Sequence, residues 1–258
     1  MNDSNDSAAM PKPLFSIITP SFNSGDKLAR TIDSVLAQDA DVEMIVVDGG
    51  STDGTPALLE SYGERVRWVS ERDKGIYDAM NKGVGLSRGR YLNFQGAGDT
   101  LRPGVLAKLA PQMPDKPLSF VYGRVYLTEA HHEHGEPFTR MTLRNGNIPH
   151  QGIFYERTIF DLVGLYSLEY RTASDYVMAL KCYREDRIVK TYVDIVVADF
   201  EGGGVSDTNP DEKIDRDLPE LIRTNLGLGP YLVWRAQRLV PASLREARIR
   251  FRKRLRTQ

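Results

Sequence analysis

Asp99 is the acidic residue whose neighbours point most directly to chemistry. Gly96, Ala97 and Gly98 stand before it and leave almost no side-chain bulk. A carboxylate in that setting suits a metal-held phosphate, because hard cations take oxygen ligands and phosphates need room. The alternative for Asp99 is a turn residue, or the N-cap of the segment after Pro103. Asp48 and Asp53 bracket Asp48-Gly49-Gly50-Ser51-Thr52-Asp53-Gly54-Thr55, where turn and helix-cap duty competes with ligand contact. Asp73, Lys74 and Gly75 pair an acid with a base in a turn. Asp175 follows Thr172 at capping-box spacing, and a carboxylate suits a helix N-terminus in any case. His131-His132-Glu133-His134-Gly135-Glu136 has the residue types of a metal cluster, but no supporting ligands stand at a recognisable distance. It reads as a solvated hairpin tip.

The elements that must position these residues alternate. Leu14 to Thr19 is an apolar strand closed by Pro20-Ser21-Phe22-Asn23-Ser24-Gly25, and a helix follows from Asp26 with Leu28, Ile32, Val35 and Leu36 on one face. Glu43 to Val47 and Val66 to Val69 read as further strands, and Pro56 suits the first turn of a helix. Ile76, Met80 and Val84 fall four apart and predict a helix to about Leu86, with Tyr77, Asp78, Asn81 and Lys82 on its other faces. Gly83 and Gly85 each cost that helix about 1 kcal/mol against Ala, so a packing or ligand reason is expected. Tyr91 to Phe94 is a short buried strand. This alternation predicts an α/β fold with a parallel sheet and right-handed crossovers, whose ligands sit beyond the strands' carboxyl ends. The loops after Thr19, Val47, Val69 and Phe94 are therefore expected to converge.

The chain has 258 residues, enough for one large α/β domain. Its one cysteine, Cys182, excludes an intramolecular disulfide and fits a reducing compartment, with the cytoplasm expected. Residues 1–13 are polar and read as a disordered lead-in, not a signal peptide. No apolar run approaches the ~20 residues needed to span a bilayer. Tyr231 to Gln258 holds 9 of the 34 Lys and Arg but 1 of the 35 Asp and Glu, so residues 1–230 carry a net charge of -9. A body that acidic is a poor nucleic-acid binder.

Neither a GxGxxG fingerprint nor a GxxxxGK[ST] loop is present, so the acidity points to a cation between protein and phosphates. IITPSFN, IVVDGGSTDGT, DKGIYDAMNKG and then GAGD resemble, in that order, the nucleotide-binding half of family 2 glycosyltransferases. The match covers about residues 14–100. The resemblance implies a GT-A fold, a mixed sheet flanked by helices. It implies that Pro20, Phe22 and Asn23 line the nucleotide pocket, that Asp48 accepts a hydrogen bond from the base, and that Asp73 and Lys74, with Gly75, Asp78 and Asn81, serve the nucleotide sugar. Asp99 matches the last aspartate of the family's DxD motif and so implies a divalent cation, Mn2+ or Mg2+. Ala97 stands in the first aspartate's place.

Beyond Thr100 the likeness is looser. Phe120 to Thr128 reads as two short sheet pieces around Gly123. Asn147 to Phe154 resembles the family's acceptor-side segment, so His150 and Gln151 are placed on the acceptor or phosphate side, with a structural histidine as the alternative for His150. Asp175 matches the catalytic aspartate, although Ser174 replaces the acid that usually precedes it. Gly202 to Ser206, after a strand from Val193 to Phe200, resembles a loop near the donor phosphates. In the tail, Leu244, Ala247, Phe251 and Leu255 form a stripe among arginines, either a membrane-surface helix or one packed on the acidic body.

The predicted organisation is a lead-in over 1–13, a transferase domain over 14–229 (nucleotide-sugar half 14–100, acceptor half 101–229) and basic amphipathic helices over 230–258. The predicted function is inverting transfer of a sugar, UDP-linked, from a nucleotide-sugar donor to a saccharide or lipid-linked saccharide. The expected place is the cytoplasm, at the inner face of the membrane, with an anionic surface met by 231–258. A nucleotidyltransferase and a non-catalytic nucleotide-sugar binder are the alternatives. Pyrophosphate release would mark the first, and absence of nucleoside diphosphate release the second.

Overall fold

The structure, a computed structural model, describes residues 12–202 and 211–239. The Gly202 to Ser206 expectation past Gly202, the stripe from Leu244 to Leu255 and most of the lead-in lie outside the described residues.

The first half is strictly alternating: β1 (Phe15–Ser21), α1 (Gly25–Leu36), β2 (Val42–Asp48), α2 (Thr55–Ser61), β3 (Arg67–Ser70), α3 (Ile76–Leu86) and β4 (Tyr91–Phe94). Strand β1 is buried along its whole length, and α1 covers it with Leu28, Thr31, Ile32 and Val35, one helical face. These strands pair in parallel in the order β3-β2-β1-β4. All four therefore end at the same edge. Helix α3 lies against β1 so closely that a Cβ on Gly83 would stand 2.3 Å from Ile18 Cγ2.

The second half continues the same sheet with mixed polarity. It comprises β5 (Thr100–Leu101), α4 (Val105–Leu109), β6 (Ser119–Leu127), β7 (His132–His134), α5 (Arg140–Leu143), β8 (Ile153–Glu156), α6 (Thr158–Val163), α7 (Ser174–Arg184), β9 (Val189–Phe200), α8 (Glu212–Leu226) and α9 (Leu228–Leu239). Strand β8 joins the halves antiparallel to β4, through Tyr91 with Glu156 and Leu92 with Tyr155. Strand β6 pairs antiparallel with β8 and parallel with β9. One core runs across the join, because Phe94 of β4 makes edge-on ring contacts with Tyr155, Phe160 and Tyr166.

Several expectations need adjustment. Phe120 to Thr128 is one strand and not two pieces: its register with β9 shifts around Gly123, where a Cβ would meet the Ile195 carbonyl oxygen at 2.6 Å, so a bulge without a side chain keeps the strand continuous. The last long strand begins at Val189, not Val193, because Ser119 to Tyr122 of β6 supply it with partners. The histidine segment is a hairpin tip, with β7 paired to β6 and exposed. The last described helix starts at Leu228, before the expected boundary at 230, and packs on the body through Trp234.

Candidate active site

The loops beyond β1, β2 and β3 meet. The Asn23 backbone amide donates to Ser51 Oγ at 2.7 Å, and the Thr52 amide donates to Asn23 Oδ1 at 2.9 Å. Asn23 sits at φ 48°, a conformation that Asn tolerates better than most residues. Phe22 beside it is 62% exposed, an aromatic face open at the sheet's edge. Asp48 is fully buried. Its Oδ2 accepts from the Ser51 amide at 2.9 Å and Ser70 Oγ at 2.6 Å, and its Oδ1 accepts from Ser51 Oγ. In this state the carboxylate is spent on tying β2 to β3. Pro20 lies within β1, paired to Val47.

Asp73 reaches the same loops, since a Cβ on Gly49 would stand 2.6 Å from Asp73 Oδ2 and 3.4 Å from the Phe22 ring. Its Oδ1 accepts from the Gly75 amide at 2.8 Å. Gly75 is the N-cap of α3 at φ 115°, which a side chain would strain. Asp78 accepts from the Lys74 amide at 3.0 Å and so stabilises the turn. The Asn81 side-chain amide grips the backbone of Tyr166, Nδ2 donating to the carbonyl and Oδ1 accepting from the amide, both at 2.9 Å. Asp53 accepts from the Thr55 amide at 2.9 Å and starts α2, the helix-cap alternative.

Asp99 sits beyond β4 with 5% of its surface exposed. Oδ2 accepts from the Gly96 amide at 3.1 Å and Gln151 Nε2 at 2.9 Å, and Oδ1 accepts from the Glu201 amide at 3.1 Å. Burial pushes this carboxyl above the ordinary value, and Gln151, the charge of His150 and the two amides offset only part of that. Those hydrogen-bond donors are neutral amides, and among the described residues no Lys or Arg forms an ion pair with this carboxylate. Among the described residues no group of three His, Cys, Asp or Glu could cage a metal. The donor set thus fits a cation held by one protein carboxylate, with other oxygens supplied by a bound diphosphate. Gln151 is itself fixed: Asn93 Nδ2 and Gln95 Nε2 both donate to its carbonyl at 2.9 Å.

Asp175 is the second residue of α7. The N-cap is Ala173, which offers no side-chain cap, and the carboxylate faces other elements. Tyr77 Oη donates to its Oδ1 at 2.8 Å, Asn147 Nδ2 donates to its Oδ2 at 2.6 Å, and His150 Nδ1 lies 3.4 Å from Oδ2. Burial alone would raise the Asp175 carboxyl. The hydrogen bond and charge of His150, the Tyr77 hydroxyl and the Tyr176 amide outweigh it and hold the carboxyl below its ordinary value. For His150 burial pulls downward, and the hydrogen bond and charge of Asp175, with the charge of Asp99, raise it overall. His150 therefore serves Asp175 directly and Asp99 only at a distance. Tyr77 and Asn147 were not foreseen as its partners, though both lie in segments that the sequence singles out.

Comparison with known proteins fits this arrangement. The family model for glycosyl transferase family 2 matches residues 16–176. The chain belongs to glycosyltransferase family 2. A PGL/p-HBAD biosynthesis glycosyltransferase of Mycobacterium bovis is 36% identical over 245 residues, covering 91% of this chain and 95% of the relative. The fold is similar to S. aureus TarS 1–349 in complex with UDP, with TM-score 0.64 at 18% identity over 82% of this chain; this chain spans 64% of that fragment. A Pyrobaculum calidifontis mannosyltransferase in complex with GDP-Man and Mn2+ has TM-score 0.60 at 16% identity, covering 96% of this chain and 82% of that one. The GT-A fold and the transferase class of this family 2 enzyme follow. Among the described residues no helix is long and apolar enough to cross a membrane.

Proposed function

We propose that this transferase moves a sugar with inversion from a UDP-linked donor to a hydroxyl of a saccharide or lipid-linked saccharide. The observation that carries the reading is the grip on Asp175: one donor comes from α3, whose N-terminus holds the Asp73-Lys74-Gly75 turn, and the others from the Asn147 to Gln151 segment. On this reading α3 is the donor-side element and Asn147 to Gln151 the acceptor-side segment, and their meeting at the carboxylate supports its role as base. TarS bound to UDP supports the donor nucleotide, and the relative named for PGL/p-HBAD biosynthesis supports a biosynthetic role.

In this reading Phe22, Asn23 and the Asp73 to Gly75 turn receive the nucleotide, with Pro20 behind them. Base contact by Asp48 would fall to Oδ1, which accepts one hydrogen bond where Oδ2 accepts two. The acceptor oxygen forms a bond to the anomeric carbon as the bond from that carbon to the diphosphate breaks. Asp175 takes the hydroxyl proton, and the bonding pair leaves with the nucleoside diphosphate. Asp175 is a weak base at its depressed pKa, but the hydroxyl becomes strongly acidic as it bonds to carbon. Asp99 would hold Mn2+ or Mg2+, which supplies charge for the departing diphosphate. Gln151 and the Glu201 amide keep the Asp99 carboxylate in place.

Asp175→Asn tests the reading, because Asn keeps the shape without accepting the proton. Transfer, followed as UDP release from UDP-sugars with acceptor, should fall by about 10²- to 10⁴-fold with donor affinity unchanged. A rate within a few-fold of wild type would overturn the assignment of the base.

A further inference from the structure

Helix α9 has two unlike faces. Trp234 is 6% exposed and packs in the core with Tyr231 against it, whereas Leu228 is 63%, Leu232 55% and Leu239 83% exposed. At about 100° per residue those leucines fall within about 40° of one another, so they form one outward stripe. Arg235 lies beside the stripe and is exposed. Arg238 stacks over the Trp234 ring at 3.7 Å. The sequence then continues from Val240 to Gln258 with seven Lys or Arg and one Glu.

This composition selects the occupant. Apolar surface of that kind is costly in water and calls for a cover. A second copy would bring the same arginines face to face, which like-charge repulsion opposes. An anionic bilayer accepts the leucines into its interface and pairs its headgroups with the arginines. Residues 1–230, at net -9, would be repelled by the same bilayer. Docking through this face alone therefore also orients the molecule.

The orientation has a use. Trp234 and Tyr231 of α9 pack in the same core cluster as Tyr176, the residue after Asp175 in α7, so α9 is seated on the core that also carries the start of α7. Tyr176 Oη donates to the Leu143 carbonyl at the end of α5, where Met141 is 42% exposed. Met141 thus adds an exposed apolar side chain two residues from the carbonyl that Tyr176 holds. We infer that the Leu228, Leu232 and Leu239 face of α9 docks on an anionic lipid surface and turns the acceptor side of the site toward it. The inference deepens the lipid-linked acceptor reading and rests on it.

Co-sedimentation of the full chain with vesicles of phosphatidylglycerol and phosphatidylcholine, against phosphatidylcholine alone, tests it. Binding should require the anionic lipid and weaken with salt. Leu228→Ser with Leu232→Ser should lower binding at least tenfold and leave UDP release to a soluble acceptor unchanged, since both side chains point to solvent. Arg235→Gln should lower it less. Equal binding to neutral vesicles, or unchanged binding of the double variant, would overturn the inference. So would a wild-type dimer in light scattering that the double variant makes monomeric, because that assigns the face to a second copy. Asp175→Asn should bind vesicles as wild type does, which separates docking from the catalytic assignment.

Discussion

Both oxygens of Asp175 are hydrogen-bonded, so under the proposed function an acceptor hydroxyl must share a carboxylate already stabilised as an anion. Tyr77→Phe removes the donor on Oδ1 and keeps the ring contact with Tyr166 at 5.5 Å. The folded-state pKa of Asp175 is depressed, so its contribution to stability is present above the unfolded value near ~3.9 and is lost as pH falls through the folded value. Losing Tyr77 narrows that difference. The variant should lose roughly 1.5–3 kcal/mol at neutral pH, and less in acid. The acid limb of its kcat profile should move to higher pH, because less of Asp175 is then ionised; an unmoved limb would make Tyr77 a packing residue only. At Asp99 the argument runs through charge. Asp99→Ala should make nucleotide binding insensitive to Mn2+, as calorimetric titration with UDP would read, while the circular dichroism stays native. The positions of Asp99 and Asp175 were legible because motif order and local composition mark them. The Tyr77 bond was not, because its partners lie 98 residues apart and only the tertiary fold brings the start of α3 to the start of α7.

Helix α3 carries two glycines that local propensity treats alike and the fold does not. Gly83 faces β1, where an added methyl would meet Ile18 at 2.3 Å, while Gly85 has nothing within 4 Å of its Cβ position. Gly85→Ala should raise stability by about 0.5–1 kcal/mol through helix propensity. Gly83→Ala gains the same propensity but must push apart a helix and strand on the donor side, so a net loss of about 1–3 kcal/mol is expected. Melting temperatures of the two variants should move in opposite directions; a shared direction would mean that α3 adjusts freely. The expected packing reason thus holds at one glycine only. The alternating first half was legible because each strand is an apolar run followed by a turn and an amphipathic helix. The second half was less so. Strand β5 is two residues long and exists by pairing with β9, and β6 stays continuous across a glycine only because β9 approaches it there.

Across the whole molecule, the expected donor and acceptor halves share one sheet and two interleaved cores. Ile18, Ile45 and Phe94 pack in the same cluster as Phe120, Tyr155, Met178 and Trp234, and Phe15 and Val46 pack with Val121, Phe154 and Val197. Neither half can expose its partner's side of such a core cheaply, so they should unfold together despite the size of the chain. Near-ultraviolet and far-ultraviolet melting curves should coincide. Occupied at about 100 times Kd, a nucleoside diphosphate with Mn2+ should stabilise the entire chain by about 2.7 kcal/mol, moving both curves equally. The link runs through Asp99, whose oxygens are bonded by Gly96 in the first half and by Gln151 and Glu201 in the second. Two separated transitions, with only the earlier one responding to nucleotide, would show that the β4 to β8 junction does not carry cooperativity.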